Sequence, residues 1–183
     1  MKRKNLARGY TLVELLVALC LLTLLQAWVV PTLADMVQWV RVNTGAQALA
    51  ESLMRARSEA VKRNSRVVVC KSATGTACEP GANWEQGWIV FQDGNKNSLL
   101  DPDESILYRE QALPSSVRVS GNLPVSTYVS YTPYGRTKLT SGAFQAGTFT
   151  VCAMQGKRSQ GRQVIINSGG RPRVARPARD VCA

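Results

Sequence analysis

The sequence has no histidine in its 183 residues. That removes Ser-His-Asp and Cys-His catalysis and any histidine-ligated metal. Acidic residues are scarce, with 12 Asp+Glu against 23 Lys+Arg and a formal net charge of +11. No CxxC pair occurs, so the cysteines lack the spacing of a zinc site. No nucleophile–base pair, carboxylate dyad or phosphate loop stands out, and the chain reads as a non-enzyme. Internal repeats, long low-complexity linkers and the strand–helix–strand alternation of a parallel sheet are missing too. What is there is 45% hydrophobic, too apolar for a disordered basic tail and long enough for about one domain plus an appendage. So positive a chain favours an anionic partner: nucleic acid, an acidic protein face or a lipid surface.

The charge sits at the two ends. Residues 1–9 hold Lys2, Arg3, Lys4 and Arg8 and no acid. Residues 157–183 hold Lys157, Arg158, Arg162, Arg171, Arg173, Arg176 and Arg179 against Asp180. Between them, 12 basic and 11 acidic residues nearly cancel. The ends therefore need separate explanations.

Thr11–Val30, TLVELLVALCLLTLLQAWVV, is almost continuously apolar. As a helix it would be about 30 Å long, the thickness of a bilayer core. Basic residues before it predict a cytoplasmic N-terminus. The run ends at Trp28 and Pro31 rather than at the small residues of a secretory cleavage site. Glu14 interrupts it, and a carboxylate near the end of a membrane span is costly without a partner.

The string Gly9-Tyr10-Thr11-Leu12-Val13-Glu14 resembles the class III signal of type IV pilins and pseudopilins. The resemblance implies that a prepilin peptidase cuts between Gly9 and Tyr10 and that Tyr10 becomes N-methylated. It also implies that Glu14 pairs with a neighbouring subunit's N-terminal amine during assembly. The family usually has Phe where this chain has Tyr10. Removing the leader would leave most of the remaining positive charge at the C-terminus.

Beyond Pro31 the apolar residues Ala46, Leu49, Ala50, Leu53, Met54, Ala60 and Val61 recur at helical spacing. Pro31 and Gly45 mark points where the helix can bend. The pattern predicts one helix from Tyr10 to about Asn64, roughly 80 Å long. From Arg66 the period changes to 2. Short strands are expected at Arg66–Lys71, Gly87–Gln92, Ile106–Arg109, Val117–Ser120, Tyr128–Thr132, Thr148–Met154 and Gln163–Asn167. The fold class is α+β, type IV pilin-like: a long N-terminal helix, membrane-spanning in its first half, packed on an antiparallel β-domain. The segments are a leader (1–9), a transmembrane or filament-core helix (10–35), an amphipathic helix on the sheet (36–64) and a β-domain with a basic C-terminal segment (65–183).

Cys20 lies in the apolar run, apart from Cys70, Cys78, Cys152 and Cys182. A domain outside the cytoplasm keeps disulfides. Of the three pairings open to four cysteines, the preferred one is Cys70–Cys78, closing a strand-to-loop segment, with Cys152–Cys182, tying the C-terminus to a core strand. Four buried thiols are the alternative.

Asp93, Asn95, Asn97, Asp101 and Glu104 have the spacing of calcium ligands in an EF-hand loop. Yet Ser98 stands where the turn wants glycine, strands rather than helices flank the loop, and Lys96 lies inside it. A hairpin stiffened by Asx turns is the preferred reading; calcium is the lesser one, and no cofactor is otherwise expected.

Arg57-Ser-Glu-Ala60-Val-Lys-Arg-Asn64, followed by Gly87-Trp88-Ile-Val-Phe91-x-Asp93-x-Asn95-x-Asn97 and then Asp101 and Glu104, resembles the FimT/GspH branch of minor pilins and pseudopilins. With the N-terminal motif the resemblance covers most of residues 8–110. It implies that Trp88 and Phe91 are core residues and the Asp/Asn loop a hairpin feature.

The C-terminal segment Gly169–Arg179 is rich in arginine, the better bidentate phosphate ligand, with Pro172 and Pro177 to stiffen it. In an extended chain Arg171 and Arg173 point to one side. Three readings compete: a solvated tail, a surface for an acidic neighbour, and a DNA contact that neutralises phosphates without reading sequence. Gly170-Arg171-Pro172-Arg173 resembles the G-R-x-R motif of FimT-type minor pilins, which are implicated in DNA uptake, and this favours the third. The expected contacts are Arg171, Arg173, Arg176 and Arg179, with Lys157, Arg158 and Arg162 in a preceding loop. Tyr128, Tyr131 and Tyr134, beside Arg136 and Lys138, are either core residues or platforms for bases.

The expectation is a minor type IV pilin that assembles into a pilus and binds extracellular DNA for natural transformation. The alternatives are a structural minor pilin that primes assembly and a type II secretion pseudopilin. Expected partners are other pilins and minor pilins, the prepilin peptidase, DNA, and the inner membrane before assembly. The expected location is the inner membrane of a Gram-negative bacterium, single-pass with the N-terminus cytoplasmic, then the periplasm, pilus and cell surface.

Overall fold

The computed structural model describes residues 11–154, 161–177 and 181–182, apart from the side chains at 27–29 and 31. The chain divides into two compact units, Met1–Val37 and Gln38–Ala183. One helix, α1 (Leu12–Lys62), contributes to both. It continues through Pro31 and Gly45 without a break.

In the first unit the described apolar side chains of α1, among them Leu12, Leu15, Leu16, Leu21 and Leu24, are exposed. Among the described residues no helix is long and apolar enough to cross a membrane. The run expected to do so, Thr11–Val30, includes the undescribed side chains at 27–29.

In the second unit α1 buries Val42, Ala46, Leu49, Leu53, Ala56 and Ala60, each with no exposed surface. Their spacing alternates between four and three residues, which keeps one face on the core. Full burial of a Leu contributes roughly 1.5–3 kcal/mol. This corrects the expected stripe: Met54 and Val61 are exposed, and Val42 and Ala56 complete the face. Asn64 ends the helix. It adopts φ 47, Asn64 N–H bonds Val61 O at 3.3 Å and Ser65 N–H bonds Ala60 O at 3.2 Å. This is a Schellman termination with asparagine in the left-handed position.

Among the described residues eight antiparallel strands follow: β1 (Arg66–Lys71), β2 (Trp88–Asp93), β3 (Ile106–Glu110), β4 (Val117–Gly121), β5 (Tyr128–Tyr131), β6 (Gly147–Ala153), β7 (Arg162–Ile166) and β8 (Pro172–Ala175). They form two sheets, ordered β3-β2-β1-β5 and β4-β6-β7-β8. One hydrophobic cluster joins the buried face of α1 to Val67, Val69, Trp88, Val90, Val129 and Tyr131 of the first sheet. The same cluster takes in Val117, Val119, Phe149, Val151, Val164 and Ile166 of the second. Trp84 links the sheets, with its ring edge-on to Phe149 at 5.0 Å and its indole N–H 3.2 Å from Val125 O. A smaller cluster of Val68, Cys70, Ile89 and Phe91 fills the other face of the first sheet. Both faces of β1 and β2 are thus buried, which is why neither strand alternates apolar with polar. The disulfides are Cys70–Cys78 and Cys152–Cys182, and Cys20 is free.

Two boundaries matter for the site. β7 starts one residue earlier than expected, at Arg162. The Gly169–Arg179 segment supplies an eighth strand, β8, at the edge of the second sheet. Proline is tolerated at its first position because an edge strand can spare an N–H.

Candidate functional site

The arginine segment leaves β7 by a tight turn. Gly170 N–H bonds Asn167 O at 2.9 Å, and the Asn167 side-chain oxygen accepts from Arg171 N–H at 3.3 Å. Gly170 adopts φ 74 and packs on Gly135, which adopts φ 70. A Cβ on Gly170 would collide with the Gly135 carbonyl oxygen, so glycine is required both by the dihedral and by the close approach. The same oxygen accepts from Arg57 Nε at 2.9 Å. A helix side chain and a turn thereby clamp the start of the segment. Beyond it, pairing Ile166↔Pro172, Ile165↔Arg173 and Val164↔Val174 fixes the register of β8.

That register decides which cations face solvent. Arg171, Arg173 and Arg176 are exposed, while Pro172 and Val174 between them are half-buried. Among the described residues the ion pairs are those of Glu59 with Lys62 and Arg63. The three exposed arginines therefore carry no ion pair to a described acid. Glu51 and Arg55 of α1 line the shallow cleft beside Pro172 and Val174.

Arg162 corrects an expectation. The period of β7 places it in phase with Val164 and Ile166 on the buried face, and it is 7% exposed. Its Nε bonds Asn43 Oδ1 at 3.2 Å, its Nη1 bonds Gly161 O at 3.0 Å, and its guanidinium lies 5.6 Å from the Trp39 ring centre. Burial, then the Arg176 charge, lowers its pKa from the ordinary value. Arg162 holds β7 to α1 and is not displayed to a phosphate. Lys157, Arg158 and Arg179 lie outside the described residues, as do Gly9 and Tyr10.

In the first unit Thr11 and Glu14 form a reciprocal cap. Thr11 N–H bonds Glu14 Oε2 at 3.0 Å, and Glu14 N–H bonds Thr11 Oγ1 at 3.3 Å. The Thr-x-x-Glu string is thus a capping box for the start of α1. It leaves the carboxylate exposed.

The Asp93–Glu104 loop joins β2 to β3. Asp93 is fully buried and its carboxylate accepts from Asn97 N–H and Ser98 N–H, each at 3.1 Å. Asp101 accepts from the side chains of Asn95 at 2.7 Å and Asn97 at 2.8 Å, and Glu104 accepts from Gly94 N–H at 2.7 Å. Lys96 and Ser98 are held at φ 66 and 61. The oxygens that calcium would use already engage donors of the loop. Among the described residues no cluster of three or more Cys, Asp or Glu is placed to hold a metal.

The tyrosines diverge. Tyr131 is fully buried and its hydroxyl has no hydrogen-bond partner. Burial raises its pKa well above the ordinary value, with the Arg57 charge opposing. Tyr128 is half-buried beside the smaller core cluster. Tyr134 is 87% exposed. Nothing in the sequence paired Gly135 with Gly170.

Comparison with known proteins places this geometry. The family described as "Type II transport protein GspH" matches residues 45–170. The pilin-like protein PilA1 of Thermus thermophilus is 33% identical over 97 residues, 53% of this chain and 55% of that protein. The chain thus spans about half the length of this curated relative. The type IV minor pilin FimU of Pseudomonas aeruginosa superposes with a TM-score of 0.55 at 17% identity, over 73% of this chain and 87% of FimU. The minor pseudopilin EpsH from the type 2 secretion system of Vibrio cholerae superposes with a TM-score of 0.51 at 11% identity, over 76% of this chain and 99% of EpsH. At these identities the two structures speak to fold.

Proposed function

Because the chain belongs to the GspH family and is a type IV pilin-like minor pilin or pseudopilin, we propose that it enters a type IV pilus through α1 and binds extracellular DNA through Arg171, Arg173 and Arg176, for natural transformation. The observation that carries this reading is the edge strand β8. It displays Arg173, with exposed Arg171 just before it and Arg176 just after it, on a backbone anchored at the Gly135–Gly170 contact and with no described acid paired to them. Each guanidinium can take a phosphate bidentately, and phosphate contacts of this kind hold a duplex without reading its sequence.

The rest of the reading concerns assembly. The exposed leucines of α1 would lie in the inner membrane and then in the filament core. Cleavage after Gly9 by a prepilin peptidase would free Tyr10 for methylation. Glu14 would exchange its bond to Thr11 for a neighbouring pilin's N-terminal amine. A structural role as an assembly primer, or in a secretion pseudopilus, is the second reading, and the EpsH-like fold supports it.

The test is DNA binding by the full chain in nonionic detergent. Duplexes of unrelated sequence should bind equally, with affinity falling steeply as salt rises. Arg171→Ala with Arg173→Ala should lower the log–log salt slope by about 2 and leave Tm unchanged. No binding at low salt would leave the structural reading in its place.

A further inference from the structure

A second basic surface begins where the arginine segment is anchored. After Gly135 the chain runs extended, with Tyr131 bridged to Thr137 and Lys138 to Phe144. Thr137 is 1% exposed, so the alternation sends Arg136 and Lys138 outward on one side. Gln145 fixes this run from beneath. It is fully buried, accepts from Ser130 N–H at 2.9 Å, and donates to Pro124 O at 2.7 Å and Tyr128 O at 2.9 Å. Gln145 N–H also bonds Thr137 O at 3.2 Å, which ties the residue between the two cations to this network.

Arg136 and Lys138 line two adjoining hollows. One, of about 900 Å³, is also lined by Arg66, Lys96 and Tyr134. The other, of about 370 Å³, is lined by Phe144 and by Ser168 and Gly169, the residues just before Gly170-Arg171. The acid in the larger hollow, Asp93, is buried with its carboxylate turned to the backbone of Asn97 and Ser98. Arg66 Nη1 is shielded from solvent and has no hydrogen-bond acceptor. An unpaired, shielded guanidinium nitrogen is costly, and the Arg66 charge adds to the positive lining of the hollow. Beside these cations Tyr134 is 87% and Phe144 71% exposed. Lys138 and Phe144, directly opposite in an antiparallel bridge, stand side by side.

Cations at phosphate-contacting positions, interleaved with exposed rings, are what a single strand of nucleic acid requires: charge for the backbone and flat faces for unpaired bases. A duplex hides its base faces and would leave both rings unused. We propose that this groove, from the Asn167–Gly170 turn across Arg136 and Lys138 to Arg66 and Lys96, binds unpaired nucleic acid, with Tyr134 and Phe144 stacking on bases. The proposal deepens the nucleic-acid reading of the arginine segment and rests on it. Arg171 and the groove lie on either side of the Gly135–Gly170 contact, so a frayed or nicked end held by β8 has a basic path into the hollows.

The experiment uses the full chain in nonionic detergent with fluorescent oligothymidylate and a fluorescent duplex of equal length. Tyr134→Ala with Phe144→Ala should weaken oligothymidylate binding about 5- to 100-fold and change duplex binding less than twofold. Arg136→Ala with Lys138→Ala should weaken oligothymidylate binding at least tenfold. All four side chains are exposed, so Tm should hold. Oligothymidylate binding at wild-type strength in both variants would overturn the proposal, as would polyglutamate competing as well as the oligonucleotide. If Arg171→Ala with Arg173→Ala abolishes duplex binding while the groove variants change nothing, the groove fails and the arginine segment stands. If oligothymidylate binds through the groove but duplex is not bound, the duplex reading of the arginine segment fails and the groove stands. If neither binds, both fail.

Discussion

Gly170 rests on Gly135, backbone to backbone, with both residues in the left-handed region at φ 74 and 70. This contact joins the turn after β5 to the turn before β8, and so joins the edges of the two sheets. It also sets the position of Arg171 without using any atom of the Arg171 side chain, the Gly135 carbonyl being held in turn by Arg57 Nε at 2.9 Å.

Gly170→Ala should therefore weaken DNA binding while every cation is kept. The Cβ meets the Gly135 carbonyl oxygen and the backbone must leave φ 74. A stability loss of about 1–3 kcal/mol is expected. Binding and thermal melting of Gly170→Ala, beside Arg173→Ala, check this. Arg173→Ala should lose affinity at unchanged Tm, and Gly170→Ala should lose both.

Arg162→Ala should show the opposite pattern. Its guanidinium is spent on Asn43, Gly161 and Trp39, so removing it leaves those groups without their partner. A loss of about 1–3 kcal/mol is expected, with the salt slope of DNA binding unchanged. A lower slope would return Arg162 to the set of phosphate contacts.

Cys152→Ser with Cys182→Ser should destabilise the second unit. The bridge closes a separation of 30 residues, for which the chain-entropy estimate is about 3–4 kcal/mol. Cys70–Cys78, with a separation of 8, constrains a shorter loop, and its removal should cost less. Denaturant melts of the two double variants give the ranking.

Glu59 makes stability depend on acid. Its Arg63 bond at 2.6 Å, helped by the Lys62 charge and the Tyr108 hydroxyl, holds its pKa below the ordinary value of 4.5 against the opposing effect of burial. Because the folded pKa is the lower one, the contribution is full above the unfolded value and fades as pH falls through the folded value. Glu59→Gln should thus lower Tm at pH 7, and the gap should narrow as pH falls below the ordinary value of 4.5.

Glu14→Gln separates two roles of one side chain. The amide oxygen can still accept from Thr11 N–H and keep the capping box, but the negative charge is lost. Helix content should be unchanged and incorporation into pili reduced, whereas Glu14→Ala should lose both cap and incorporation. Shear fractions and circular dichroism measure the two effects.

Much of the fold was legible because its signals are local. The switch in period at Arg66, the Asn64 stop, the Cys70–Cys78 closure and the Asx-rich loop each arise within a few residues. Arg162 was misplaced by a single position. A strand that starts at Gln163 leaves the arginine in a loop; one that starts at Arg162 puts it in phase with Val164 and Ile166. Met54 and Val61 were misassigned for a similar reason. Helical periodicity admits a stripe wider than the face that two sheets actually cover.

The sequence by itself determined the elements, the uneven placement of charge and the identity of the arginines, since periodicity, turn residues and composition act at short range. Only the tertiary structure decided which cations are displayed. Arg171, Arg173, Arg136 and Lys138 face outward because strand register and the Gly135–Gly170 contact point them there. Arg162 faces inward because β7 packs on α1. Residues 35 positions apart in the chain meet for the same reason: the edges of two sheets come together at a pair of glycines, Gly135 and Gly170, and no local pattern encodes that meeting.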